Sequence, residues 1–221
     1  MGKKVLGIIL VVLGLALLHM GVIVGGFFIG SNVLAEVGAG LYLWQSEVVV
    51  GLEALVLLLF LIYAAKQSWI GFRGFSFGKM AVLVVLGLLM VLVFEWLALI
   101  FLPAGKTTSG RQEILELMQY FPTVVLAFNF MVYLPMMEEF VFRGLLMDKV
   151  FGSFSWWSVL LSGILYAVCH TPDSLVAWIL YLGLGWVFSG CYAYSRRLDY
   201  NLILHVLYGA VAFSLLYMGM Y

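Results

Sequence analysis

Charge is what this sequence has least of. Only 10% of its 221 residues are charged, 11 Lys+Arg against 11 Asp+Glu, where soluble domains carry about 25%. With a mean hydropathy of +1.15, that scarcity excludes a soluble globular domain. The formal net charge is +0, so nothing points to a nucleic-acid partner or to acidic ligands. Cysteine is also scarce. Cys169 and Cys191 lie in apolar runs and form no CxxC, which suits small buried hydrophobes better than a disulfide or a metal site. No internal repeat, linker or low-complexity segment interrupts the chain, so residues 1–221 read as a single membrane domain. Lys3-Lys4 before an apolar run resembles a signal peptide. The run to about Gly30 exceeds an h-region of about 7–15 residues and lacks a small-residue cleavage site, so it is read as a retained span.

What the chain does have is long apolar stretches. A spanning helix needs about 20 such residues, and seven stretches qualify: roughly 5–30, 48–65, 80–104, 121–147, 154–171, 174–194 and 201–220. The expected fold is all-α, a polytopic membrane helix bundle. Lys3, Lys4, Lys66, Arg73, Lys79, Lys149, Arg196 and Arg197 then share one side, and Lys106 and Arg111 the other. That asymmetry places the N-terminus in the cytoplasm and the C-terminus outside. The segment 66–79 mixes aromatic, basic and glycine residues and reads as an interfacial loop with an aromatic belt. Ser109 to Glu116 suits a short amphipathic surface helix.

Against this background, ionisable residues inside the spans stand out, since each costs about 2.5–3.5 kcal/mol at mid-bilayer on insertion scales. Glu138, Glu139 and Arg143 fall in the fourth span. Glu139 and Arg143 share a helical face and suit an ion pair. Glu138 points about 100° away and has no partner in this segment, which makes it a candidate general base. His170 precedes Thr171-Pro172, where the fifth helix is expected to end. His205 lies one turn after Asn201 in the seventh. One carboxylate and two imidazoles on three helices are what a water-activating site requires: a base, and groups that orient the water, ligate a metal or stabilise an oxyanion. Glu53, Glu95 and His19 are open to a plainer reading, a hydrogen bond to a neighbouring helix. Ser162 has no activating base beside it.

Glu138-Glu139-x-x-x-Arg143 resembles the EExxxR motif of the CPBP family, the CAAX proteases and bacteriocin-processing enzymes. Tyr166-x-x-x-His170 is similar to its FxxxH motif, and His205 to the histidine of its HxxxN motif. The resemblance covers about residues 121–217. It implies a catalytic core there, acting as an intramembrane endopeptidase on membrane-associated or lipidated peptides, with Glu138 as base. It further implies that His170 holds the water, that His205 serves the oxyanion and that Glu139 and Arg143 organise Glu138. A zinc ion on Glu138, His170 and His205 would fit the usual count of three protein ligands and a water. Position 209, Asn or Asp in the family, is Gly209 here. Loss of one oxyanion donor would cost about 2.7–4 kcal/mol. Restoring Asn is therefore expected to raise the activity of an enzyme and to leave a scaffold unchanged. The alternative is a non-proteolytic regulator or bacteriocin immunity protein that acts on a partner membrane protein through helix contacts. A transporter is disfavoured by the absence of inverted repeats. Short loops suit a bacterial cell membrane, and the site is expected to open toward the cytoplasm.

Overall fold

The computed structural model describes residues 14, 43–102, 108–118 and 121–219. The expected first span, with His19, lies outside them apart from Gly14. Among the described residues the regular structure is entirely helical, which makes this a polytopic helical bundle. Seven helices follow in order: α1 Leu43–Lys66, α2 Phe77–Phe101, α3 Ser109–Leu117, α4 Thr123–Phe151, α5 Trp156–Cys169, α6 Leu175–Ser195 and α7 Leu198–Tyr217. Five of them, α1, α2, α4, α6 and α7, are long and apolar enough to cross a bilayer.

The fifth expected span is shorter than its apolar sequence suggests. Helix α5 has 14 residues, about 21 Å at 1.5 Å per residue, against a hydrocarbon core of about 30 Å. It stops where Pro172 forbids continuation and Thr171 takes a positive φ of 45°. Elsewhere the ends follow local chemistry. Ser76 and Ser174 cap α2 and α6 by accepting the amide N–H of Lys79 and Ala177, which satisfies donors a helix start leaves open. Gly152 ends α4 at φ 59°, where a residue without Cβ is least strained.

Helix α4 is not uniform. It is α-helical over Thr123–Phe128 and Leu134–Glu139, and π-helical over Asn129–Tyr133 and Phe140–Phe151. Pro135 lacks an N–H and cannot close the usual bond to the carbonyl four residues earlier, and the wider turn lies just before it. The glutamate pair thus sits at the end of one α-helical turn between two wider ones.

Helix α5 packs on α6, α2 on α6 and α7, and α4 on α7. Two buried clusters fill the interior. One joins Val84, Val91, Phe142, Tyr166, Leu184 and Phe188. The other joins Trp69, Tyr133, Met137, Phe140, Tyr192 and Leu198. Trp69, expected in an interfacial belt, is 5% exposed and donates its indole N–H to Asp148 at 3.0 Å. Phe72, in the same loop, is 99% exposed. Leucines on the outer faces of α1 and α2, such as Leu55, Leu59, Leu86 and Leu89, are exposed, as a lipid-facing surface requires.

Candidate active site

The three helices expected to supply the site do converge. Glu138 on α4 places Oε1 3.6 Å from His170 Nε2 and Oε2 3.6 Å from His205 Nε2. His170 caps the end of α5. Helix α7 begins at Leu198 rather than after Tyr200, so His205 lies two turns inside it and reaches the depth of Glu138. Glu138 is therefore not without partners; they lie on other helices, beyond what one helical wheel can show. Its Oε2 is buried and has no hydrogen-bond partner.

Each imidazole is held by its far nitrogen. His170 Nδ1 is 2.9 Å from the Tyr166 carbonyl oxygen, and a carbonyl only accepts. Nδ1 therefore carries a proton, and Nε2 turns to Glu138. His205 Nδ1 is 2.8 Å from Glu139 Oε1, with the same consequence. The rings are clamped as well. Tyr181 stacks on His170 at 4.5 Å between centroids, and Phe188 stacks on His205 at 4.0 Å.

Glu139 and Arg143 form the expected ion pair, Nη1 to Oε1 at 3.1 Å, with both side chains fully buried. Their other contacts lead away from Glu138. Glu139 lies against His205 Nδ1 and also accepts Asn201 Nδ2 at 2.8 Å. Arg143 donates to the Gly185 carbonyl at 3.0 Å and lies over the rings of Phe142, Tyr166 and Phe188. Asn201 is spent on Glu139 and the Phe188 carbonyl and does not replace the missing Asn at 209.

Gly209 itself has a steric reason. A Cβ there would lie 2.9 Å from the Phe130 carbonyl oxygen and 3.3 Å from Pro135 Cγ. Helix α7 crosses α4 at the π-helical turn, and only glycine lets the backbones approach so closely. An Asn at 209 has no room, so restoring it is expected to harm the fold, not to raise activity.

A cavity of about 460 Å³ leads to the trio. Glu138, His170, His205 and Tyr166 line it, together with Thr108, Arg111, Ile114 and Leu117 on and beside α3. Helix α3 is the expected short surface helix, with Gln112 and Glu116 exposed, and its other side walls the cavity. Arg111 pairs there with Glu95 of α2, which also accepts the Tyr208 hydroxyl. Of the two open glutamates, Glu95 lines the cavity and Glu53 does not; Glu53 accepts Asn129 Nδ2 at 2.6 Å. Tyr181 and Phe188 carried no signal in the sequence, being aromatic residues in an apolar run. Ser162 donates to the Phe142 carbonyl at 3.3 Å and is structural.

The donors do not suit a metal. Among the described residues no three His, Cys, Asp or Glu side chains are grouped to hold an ion. The two imidazoles each lie 3.6 Å from a different oxygen of one carboxylate.

Comparison with known proteins agrees with the motifs. Residues 120–211 match the family model described as type II CAAX prenyl endopeptidase Rce1-like. Over this stretch the chain is similar to that family. The match falls on the same stretch as the three motifs. The matched stretch runs from the start of α4 into α7 and holds Glu138, His170 and His205. The UPF0177 protein YvdC of Lactococcus lactis subsp. lactis (strain IL1403) is 27% identical over 104 residues, 47% of this chain and 40% of that protein. The chain therefore spans about two fifths of the length of this curated relative. No solved structure matches the chain.

Proposed function

We propose that this multi-pass membrane protein is a glutamate-dependent intramembrane endopeptidase acting on membrane-associated or lipidated peptides, with residues 121–217 as its catalytic core. One observation carries the reading: the buried Glu138 carboxylate faces two imidazole nitrogens, each at 3.6 Å, while the opposite nitrogen of each ring is locked. A distance of 3.6 Å is too long for a direct hydrogen bond. It suits a water placed about 2.8 Å from both groups.

In this reading His170 Nε2 accepts one hydrogen bond from the water and orients its lone pair. Glu138 takes the proton as oxygen attacks the peptide carbonyl, and the C–N bond then breaks as that proton passes to the leaving amine. His205, when it carries both protons, donates Nε2–H to the oxyanion while Glu139 faces its charge from Nδ1. The basic loops face the cytoplasm in a bacterial cell membrane, with the N-terminus cytoplasmic and the C-terminus external.

The test compares membrane and released peptides from host cells carrying wild type, Glu138→Gln or His170→Ala. A cut present in wild type and lost in both variants, with the variants still inserted and folded, is the expected result. Identical peptide profiles would remove the catalytic reading and leave a regulator or immunity factor working through helix contacts.

A further inference from the structure

The two ends of the bundle differ in chemistry, and the cavity belongs to only one of them. At one end the loops 66–76, 148–155 and 196–199 gather Lys66, Arg73, Lys149, Arg196 and Arg197. Arg197 donates to the carbonyls of Gly71 and Arg73 and pairs with Asp199. Leu198 N donates to the Trp69 carbonyl at 3.0 Å, and Trp69 reaches Asp148. Lys79 starts the next helix on the same side. None of these loops lines the cavity.

The cavity lies wholly in the other half. On α7 its lining runs from His205 outward to Leu216, on α4 from Phe142 back to Phe130, and on α5 from Tyr166 to the end of the helix. Thr171 and α3 lie at its far end. Toward the basic end the path is filled by the Glu139–Arg143–Asn201 network and by Met137, Phe140, Tyr192, Leu198 and Leu202, all buried. Among the described residues the cavity therefore extends from the trio away from the basic loops, not toward them as the sequence suggested. Six basic residues mark the closed end (the five above and Lys79), two of them paired with Asp148 and Asp199, against Arg111, paired with Glu95, and by sequence order Lys106 at the other. Lys and Arg are retained on the cytoplasmic side of short-looped membrane proteins.

We infer that the site is served from the extracytoplasmic side. Its substrate is then a peptide, or a segment of a membrane protein, already carried across the bilayer. The reaction that must precede this one is translocation, and a peptide lipidated in the cytoplasm and still confined there is excluded. The inference rests on the proposed hydrolysis only for the word substrate; the sidedness stands on geometry and charge.

Single cysteines test it in the full-length chain, with Cys169→Ala and Cys191→Ala as background. Asp173→Cys marks the open end and Arg73→Cys the closed end; both positions are exposed. Intact cells are treated with a membrane-impermeant maleimide, then permeabilised and treated again. Asp173→Cys is expected to react at least tenfold more in intact cells than Arg73→Cys, which should react only after permeabilisation. The reverse pattern, or equal labelling of both in intact cells, overturns the inference. Neither of those results touches the dependence of cleavage on Glu138, so failure here is distinguishable from failure of the hydrolytic reading. If a single-cysteine chain does not accumulate, Glu116→Cys at the open end and Phe72→Cys at the closed end give the same contrast.

Discussion

Glu138 and Glu139 share a peptide bond and live in different surroundings. One faces a cavity with an oxygen left unpaired; the other is enclosed among Arg143, His205 and Asn201. Their neutral variants should part company. Glu138→Gln removes a proton acceptor and no ion pair with Arg143, so thermal unfolding in detergent should stay near wild type while cleavage falls about 10²–10⁴-fold. Glu139→Gln leaves a fully buried guanidinium without its counter-charge, and breaking such a pair costs about 3–5 kcal/mol. It should lower the unfolding temperature, and the activity with it. Gly209→Asn belongs beside these. The Phe130 carbonyl blocks its Cβ, and overpacking costs about 1–3 kcal/mol, so the unfolding temperature should drop with no gain in cleavage. At this scale the three residues that converge were legible because a charge or an imidazole inside an apolar span needs a reason. The job of Glu139 was not, because a helical wheel shows which face a side chain leaves from and nothing about the helix it meets.

Helices decide how the trio is held. Most apolar runs became helices within a few residues of expectation, since uninterrupted hydrophobic sequence in a bilayer has few alternatives. Two features escaped. Hydropathy cannot separate a helix that crosses from one that stops partway, so α5 read as a span although it has 14 residues. Nor can it show a π-helical turn, which depends on Pro135 and on the close passage of α7. The short α5 matters because its last turn carries His170, and its position is set by glycine contacts with α6. A Cβ on Gly185 would lie 2.7 Å from the Gly163 carbonyl oxygen and 2.8 Å from Gly163 Cα. Backbone cannot yield there as a side chain would. Gly185→Ala should force α5 and α6 apart, disturb the carbonyl that Arg143 binds, and displace His170 from Glu138. The expected outcome is a loss of about 1–3 kcal/mol in stability with a larger proportional loss of cleavage, read by melting and by rate per folded molecule.

For the whole molecule, stability and chemistry are separated along the bundle axis. The end that carries the basic loops is a clasp. Trp69 sits under Gly144, where a Cβ would lie 2.6 Å from the indole; it packs edge-on to Tyr63 and binds Asp148 across 79 residues. Composition could suggest that 66–79 lies at an interface, but only the fold shows Trp69 turned inward to join three loops while Phe72 stays outside. The clasp lies on the far side of the buried Glu139–Arg143 pair from the cavity. Trp69→Phe keeps most of the ring and removes the indole N–H, leaving the Asp148 carboxylate without that donor. A hydrogen bond to a charged group contributes about 1.5–3 kcal/mol, so the variant should unfold at a lower temperature. Cleavage per folded molecule should remain within about twofold of wild type, since no group that lines the cavity has changed its partner. A stability loss accompanied by a comparable loss of rate in the folded fraction would mean that the two ends are coupled, with the clasp setting the spacing of α4 and α7 at Glu138 and His205.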